Sequence, residues 1–253
     1  YLTSGLAWRS DYVALLNDDE SEMDLKGWVT LTNRSGTSFK DTRMQLVAGN
    51  VRRVTGYVRR PAPYAGSRRR AEERKAMVTR QALFDYHFYT LDRKTTIANN
   101  QTKQVSLMEA GGVTVAKEYR FSGYNYTYRR RYNGVQKGKA QVWLKFANAK
   151  ASNLGLPLPA GTVRVYKRDK DGNAIFVGSD NIGHTAENEK VDLRVGNAFD
   201  VSAERIQTDY RRETLARRSY ESAYRITLKN AKDKAVTVVV TEPVPGDWQM
   251  LSE

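Results

Sequence analysis

Three clusters of arginine and tyrosine contain the side chains best suited to binding another molecule. Residues 51–80 carry nine arginines and one lysine against two glutamates, a net charge of +8 where the whole chain has +14. Residues 124–139 place three consecutive arginines among four tyrosines, and residues 205–220 add five arginines and two tyrosines. Guanidinium groups bind carboxylates and phosphates in bidentate pairs, and tyrosine rings offer stacking faces. The arginines that we expect to contact a partner are Arg59, Arg60, Arg68, Arg69, Arg70, Arg74, Arg129, Arg130 and Arg131.

The class of anion is narrowed by what the sequence lacks. Arginine interleaved with tyrosine is typical of surfaces that bind single-stranded nucleic acid. No RNA-binding sheet signature or other recognition motif accompanies the clusters, however. We therefore do not expect nucleic acid. In an exported protein the candidate anions would be an acidic protein face, a lipid phosphate or an acidic polysaccharide.

The most basic cluster also has an interpretation that involves no partner. Residues 51–80 follow one predicted strand, precede another, and contain Pro61, Pro63 and Gly66, so we expect a long loop inserted into the fold. Loops of this length without regular structure are usually functional or disordered. A solvated, flexible insertion is therefore the alternative to an anion contact.

The residue types that usually catalyse reactions or bind metals form no recognisable motif. The chain has no cysteine and only two histidines, His87 and His184, whereas a metal site needs several convergent ligands. It also lacks the Gly-x-Ser-x-Gly elbow of many hydrolases and a glycine-rich phosphate loop. Residues 17–22 and 169–173 carry oxygen side chains that calcium could use, although tight turns use the same residue types. The sequence thus predicts no enzyme, no cofactor and no metal, and a hydrolase with an unrecognised site is the remaining catalytic alternative.

Apolar residues alternate with polar ones along most of the chain, which is the period of a half-buried β-strand. Asp171 and Gly172 predict a hairpin turn, and we expect strands to end at Gly111-Gly112 and at Gly196-Asn197. Only residues 68–77 have a helical pattern. Strands are expected at residues 25–32, 44–48, 83–91, 105–107, 113–121, 142–146, 163–166, 175–177, 191–195, 205–212, 220–228 and 236–240.

This spacing of strands and turns predicts an all-β protein made of two antiparallel, sandwich-like domains of the immunoglobulin-like kind. Glycines and lysines around residue 138 suggest the boundary, which gives a first β domain at residues 1–138 and a second β-sandwich domain at residues 139–253. The first domain would carry the basic insertion at residues 51–82. The longest apolar run, near residues 235–240, falls far short of the ~20 residues that a membrane-spanning helix needs.

Several sequence runs are distinctive: LTNRSG at 31–36, LVAG at 46–49, YHFYTL at 86–91, NQTK at 100–103, GLPLPAGTVRVY at 155–166 and GNAFD at 196–200. On these runs the chain resembles an uncharacterised bacterial family, a domain of unknown function related to the C-terminal half of the mucoidy-inhibitor proteins. The resemblance covers nearly all of the chain except the basic block and the 124–139 loop. It implies an exported protein that lies in the periplasm, in association with the outer membrane or at the cell surface, normally preceded by a signal peptide and a further N-terminal region. It supplies no catalytic residue.

Together these observations predict a non-catalytic structural or interaction module of the bacterial cell envelope, within a larger protein assembly. Its partner would be a protein, acidic where it meets the arginines. The competing hypothesis is an anion-binding module for acidic polysaccharide or lipid head groups.

Overall fold

The computed structural model describes residues 4–48, 87–90, 94–212 and 219–251. Of the regular structure in these residues nearly all is β, with 63% of residues in strands and no α-helix, and the all-β prediction is confirmed. Within the same ranges, no helix is long and apolar enough to cross a membrane. Short 3-10 turns occupy Asn125–Thr127 and Lys150–Ser152. The strands are β1 (Leu6–Leu16), β2 (Glu22–Asn33), β3 (Phe39–Thr42), β4 (Gln45–Ala48), β5 (His87–Thr90), β6 (Thr95–Ile97), β7 (Thr102–Thr114), β8 (Ala116–Ser122), β9 (Val135–Ala147), β10 (Gly161–Arg168), β11 (Ala174–Ile182), β12 (Lys190–Arg212), β13 (Tyr220–Asn230) and β14 (Val238–Thr241).

Two five-stranded sheets contain most of these strands. The first has the order β11-β10-β1-β2-β7, and the second has the order β13-β12-β9-β8-β14. Most neighbours are antiparallel, but β1 pairs with β10 and β8 pairs with β14 in parallel. The predicted antiparallel pairing is therefore wrong at these two pairs. Alternation of apolar residues tells which face a side chain occupies, but it does not fix the direction of the neighbouring strand.

One hydrophobic core lies between the two sheets, because both contribute buried apolar side chains to it. Tyr12 and Leu16 belong to β1 in the first sheet, and Leu144 and Leu193 belong to β9 and β12 in the second. Tyr12 is fully buried, and its hydroxyl donates to the carbonyl oxygen of Pro159 at 2.8 Å, which satisfies its polar tip. Full burial of a leucine side chain contributes about 1.5–3 kcal/mol to stability, so a core to which both sheets contribute holds the sheets together. The immunoglobulin-like arrangement of the strands stays a prediction.

The two sheets also approach closely where β11 meets β12. A β-carbon at Gly178 would overlap the carbonyl oxygen of Val195 on β12, so the backbones touch only because Gly178 has no side chain. Two residues further along β11, the Asp180 carboxylate accepts a hydrogen bond from the backbone nitrogen of Arg194 at 2.9 Å. This contact fixes an edge strand of the first sheet against the second.

Two predicted strand ends are wrong, because the strands continue through the glycines. β7 includes Gly111 and Gly112, and β12 runs through Gly196 and Asn197. In both places the pairing register shifts, as it does where a strand accommodates an extra residue in a bulge. Gly112 has a φ of +62°, which glycine adopts at little steric cost. Glycine therefore marks a bulge at these positions.

Both predicted hairpin pairings are confirmed. β10 and β11 pair in antiparallel fashion across the turn at residues 169–173, and β12 pairs in the same way with β13. In the turn, the Asp169 carboxylate accepts hydrogen bonds from the backbone nitrogens of Asp171 at 2.9 Å and Asn173 at 2.8 Å. Gly172 supplies the positive φ, +84°, that such a turn requires. The Asp169 carboxylate, one of the oxygen groups considered for calcium, therefore stabilises the turn.

The chain divides into two compact units, Tyr1–Lys40 with Thr96–Glu253, and Asp41–Thr95. The first unit contains both five-stranded sheets. In the second unit β4 pairs with β5 in antiparallel fashion. The division into domains 1–138 and 139–253 stays a prediction, although β9 runs through residue 138 and β1 neighbours β10 in one sheet.

Candidate functional site

The structure brings two of the three arginine–tyrosine clusters together. Residues 124–132, which connect β8 to β9, lie against the end of the β12–β13 pair. The hydroxyl of Tyr210 donates to the carbonyl oxygen of Arg129 at 3.0 Å, and Gln207 Nε2 donates to that of Arg130 at 3.1 Å. We call residues 124–132 together with Tyr210, Arg211, Arg212 and Tyr220 the tyrosine–arginine surface.

Three consecutive arginines project from this surface. Arg129, Arg130 and Arg131 are all exposed, and among the residues that the structure describes none of the three has a carboxylate within ion-pair distance. The guanidinium of Arg130 lies 5.1 Å from the centre of the Tyr126 ring. These three predicted site residues therefore lie together with their charges available to an anion.

Tyrosine rings accompany the arginines in stacked pairs. Tyr124 and Tyr126 stack with their ring centres 5.3 Å apart, and Tyr132 meets Tyr126 edge-on at 6.4 Å. Tyr210 and Tyr220 stack at 6.3 Å across the β12–β13 pair. Such rings combine a large apolar face with a polar tip, which suits contact with a partly wet ligand.

A buried ion pair lies beneath the surface. Arg205 of β12 is only 2% exposed. Its Nε donates to Glu242 Oε1 at 2.9 Å, its Nη2 to Glu242 Oε2 at 2.7 Å, and its Nη1 to Thr127 Oγ1 at 3.1 Å. The sequence placed Arg205 in the third basic cluster, with the surface arginines. The structure shows instead that it is already paired inside the protein.

Two tyrosines enclose this ion pair. The Arg205 guanidinium lies 3.6 Å from the centre of the Tyr224 ring and 5.3 Å from that of Tyr128. The Tyr128 hydroxyl donates to the Glu242 carboxylate. Burial, together with this hydrogen bond, raises the pKa of Tyr128 to about 12, so the hydroxyl stays a neutral donor at physiological pH.

The loop backbone is fixed from below by the same network. Thr127 is fully buried, and its hydroxyl donates to the Tyr124 carbonyl oxygen at 2.9 Å while accepting from Arg205 and Tyr224. Ser222 Oγ donates to the carbonyl oxygen of Tyr128 at 3.1 Å. The loop is therefore held by hydrogen bonds at several consecutive residues. Thr127, Gln207 and Glu242 were not predicted as supports, because they are far apart in the sequence and form no local motif.

The remaining predicted residues are placed differently. His184 is partnered within the fold, since its Nδ1 accepts a hydrogen bond from the backbone nitrogen of Ala160 at 3.1 Å. The basic block at residues 51–82, the helical segment 68–77, and Arg217 and Arg218 lie outside the described residues. The same is true of Arg59, Arg60, Arg68, Arg69, Arg70 and Arg74.

Two pockets bear on the catalytic alternative. The first, of about 180 Å³, is lined by one carboxylate, Glu20, which pairs with Lys117 at 2.6 Å and Lys167 at 2.8 Å. Burial opposes ionisation of Glu20, but the hydrogen bonds from the two lysines lower its pKa. It is thus held as a charged, paired group.

The second pocket, of about 270 Å³, is lined by three acidic residues, Asp18, Glu22 and Asp24, and by Arg168. The Asp24 carboxylate accepts a hydrogen bond from the backbone nitrogen of Gly112 at 3.1 Å. Among the described residues, no group of three or more histidine, cysteine or acidic side chains is arranged to hold a metal ion. An acidic cluster alone does not indicate catalysis, so neither pocket supports the hydrolase, which remains a third hypothesis.

Comparison with known proteins gives one match. A family model described as a domain of unknown function, DUF4139, matches residues 1–248. No curated protein and no solved structure matches the chain.

Proposed function

We propose that this chain, which belongs to the DUF4139 family of domains of unknown function, is a non-catalytic interaction module of the bacterial cell envelope. It works outside the cytoplasm as part of a larger assembly and contacts an acidic partner through the tyrosine–arginine surface. The resemblance to the C-terminal half of the mucoidy-inhibitor proteins supports the envelope location. The core shared by two sheets supports an immunoglobulin-like sandwich as the framework.

The proposal depends on one observation: the charges of three exposed arginines are available, while the backbone of the loop that bears them is held in place. Arg129, Arg130 and Arg131 are exposed, with no ion pair in the described part of the chain, yet hydrogen bonds hold the loop that bears them. A loop that is ordered before binding loses less entropy when a partner binds, and each side chain that must still be immobilised costs about 0.5–1.5 kcal/mol. Arginine is also suited to bidentate contact with carboxylates.

A second candidate is an anion-binding module for acidic polysaccharide or lipid head groups. The stacked tyrosines favour this candidate, because a purely electrostatic contact with an acidic protein needs no aromatic platform. Sugar rings and lipid interfaces both accept the amphipathic face of tyrosine.

The test is a triple substitution, Arg129→Ala, Arg130→Ala and Arg131→Ala, compared with Arg34→Ala, Lys170→Ala and Lys190→Ala. The control removes the same charge from exposed residues outside the surface. We expect polyglutamate or polygalacturonate to bind wild type and control with an affinity that falls as salt rises, and to bind the arginine variant at least tenfold more weakly. Equal binding by both triple variants would show that the surface is not the anion site.

A further inference from the structure

The C-terminal segment passes the tyrosine–arginine surface at Gly246 and then carries exposed apolar side chains. After β14, Glu242 pairs with Arg205, and the chain then passes the loop at Gly246, where a β-carbon would lie 3.5 Å from Arg129 Nη2. Trp248, Met250 and Leu251 follow within five residues, and they are 60%, 64% and 71% exposed. Large apolar side chains therefore follow, two to five residues later in the chain, a glycine that lies beside an exposed arginine.

We infer that the tyrosine–arginine surface and residues 246–251 form one docking face for a lipid membrane that carries anionic head groups. This inference rests on the proposed function, since it names the anion that the arginines bind. Stable attachment to a membrane surface usually needs two signals, an electrostatic one and an apolar one. The arginines supply the first signal, and Trp248, Met250 and Leu251 supply the second.

The apolar side chains distinguish a lipid surface from the other acidic partners. A polysaccharide would neutralise the arginines but would leave tryptophan, methionine and leucine in water, and a protein partner would need an apolar patch beside its acidic face to bury them. At a bilayer, phosphates lie at the same level as the interface that tryptophan and tyrosine prefer, and the acyl chains accept leucine and methionine. Asp247 is the acidic residue of residues 246–251, and it opposes only part of the charge of the three arginines.

The experiment is co-sedimentation of the whole chain with large unilamellar vesicles. One set contains 30 mol% phosphatidylglycerol in phosphatidylcholine, and the other contains phosphatidylcholine alone. We expect binding to the anionic vesicles and little to the neutral ones. Each basic residue near an anionic leaflet strengthens binding roughly fivefold, so the Arg129→Ala, Arg130→Ala, Arg131→Ala variant should bind roughly a hundredfold more weakly.

Substitution of the apolar side chains tests the second signal. Trp248→Ser, Met250→Ser and Leu251→Ser together should weaken binding to anionic vesicles at least tenfold. The matched control is Leu156→Ser, Ile175→Ser and Phe199→Ser, which removes three exposed apolar side chains outside this face and should leave binding unchanged. We expect each variant to fold, because all the changed side chains are exposed, and circular dichroism checks this.

The outcomes separate the inference from the proposed function. Binding of polyglutamate or polygalacturonate through the arginines, without binding to anionic vesicles, would overturn the membrane inference and leave the proposed function standing. Failure to bind either polymer or vesicle would overturn both. Equal binding to neutral and anionic vesicles, unaffected by the arginine substitutions, would overturn the inference as well.

Discussion

Arg205 carries a positive charge in a place that water hardly reaches. Removing such a group from water costs several kcal/mol, and the cost is offset only by good geometry around every donor. Here the Glu242 carboxylate, the Thr127 hydroxyl and the Tyr224 ring surround the guanidinium. The planar, always charged guanidinium suits this enclosure better than a lysine would. Arg205 therefore supports the exposed arginines from below and does not itself meet a partner.

Replacing Glu242 by alanine should leave Arg205 buried without its counter-charge. We expect the free energy of unfolding to fall by about 3 kcal/mol, the lower part of the range for breaking a buried pair, because Glu242 is itself partly exposed. Urea titration followed by circular dichroism measures the change.

The control for this substitution is Glu204→Gln, which lies on β12 next to Arg205. Glu204 pairs with the exposed lysines Lys137 and Lys229, each at 3.3 Å, and its replacement should hardly change the urea midpoint. If the two variants unfold at the same urea concentration, the Arg205–Glu242 pair does not stabilise the protein as described.

At the scale of elements, alternation of side chains predicted most strands but not their neighbours. Turn residues at 169–173 pointed to the β10–β11 hairpin, because a hairpin turn is a local feature. The parallel pairing of β1 with β10 joins residues about 150 positions apart, and no local pattern encodes it. In β7 and β12 the glycines predicted a strand end but lie in a bulge, since both features favour glycine.

The arginines of the candidate site could be predicted from the sequence, but most of their surroundings could not. The exposed residues Arg129, Arg130 and Arg131 form a contiguous run, so composition alone singled them out. Their contact with the β12–β13 pair, and the support from Glu242, depend on tertiary structure. Burial of Arg205 had a local signal, because Val201 and Ala203 share its face of β12 and are buried, but the counter-charge that permits this burial, Glu242, is distant in the sequence.

The close approach of β11 and β12 gives a test at the element scale. Gly178→Ala should destabilise the protein by about 1–3 kcal/mol, because the added β-carbon overlaps the Val195 carbonyl oxygen and the backbones must separate. Gly183→Ala is the matched control, since a β-carbon there meets no atom within 4 Å. Differential scanning calorimetry compares the two variants. Similar transition temperatures would mean that the two strands are not in contact as described.

For the whole molecule, the main consequence of the topology is cooperativity. β10 and β11 complete the sheet that begins with β1 and β2, while β8 belongs to the sheet of β9 and β12. Strands from early and late parts of the sequence thus alternate between two sheets around one core. Neither sheet can lose its partner without exposing that core to water.

The unfolding of both sheets should therefore occur in one transition. Two variants test this, one that keeps only Trp28 of β2 and one that keeps only Trp143 of β9, with phenylalanine at the other tryptophan positions. We expect their fluorescence to change at the same urea concentration, as two-state unfolding requires. Well-separated midpoints would instead support independent domains divided near residue 138.

The pair between Arg205 and Glu242 also sets an order of events during folding. Glu242 lies 37 residues after Arg205 in the chain, so the pair forms only when the segment after β14 has reached its place. Until then the Arg205 side chain has no counter-charge, so the loop at residues 124–132 has no finished support beneath it. The tyrosine–arginine surface is therefore completed only when Glu242, directly after β14, is in place.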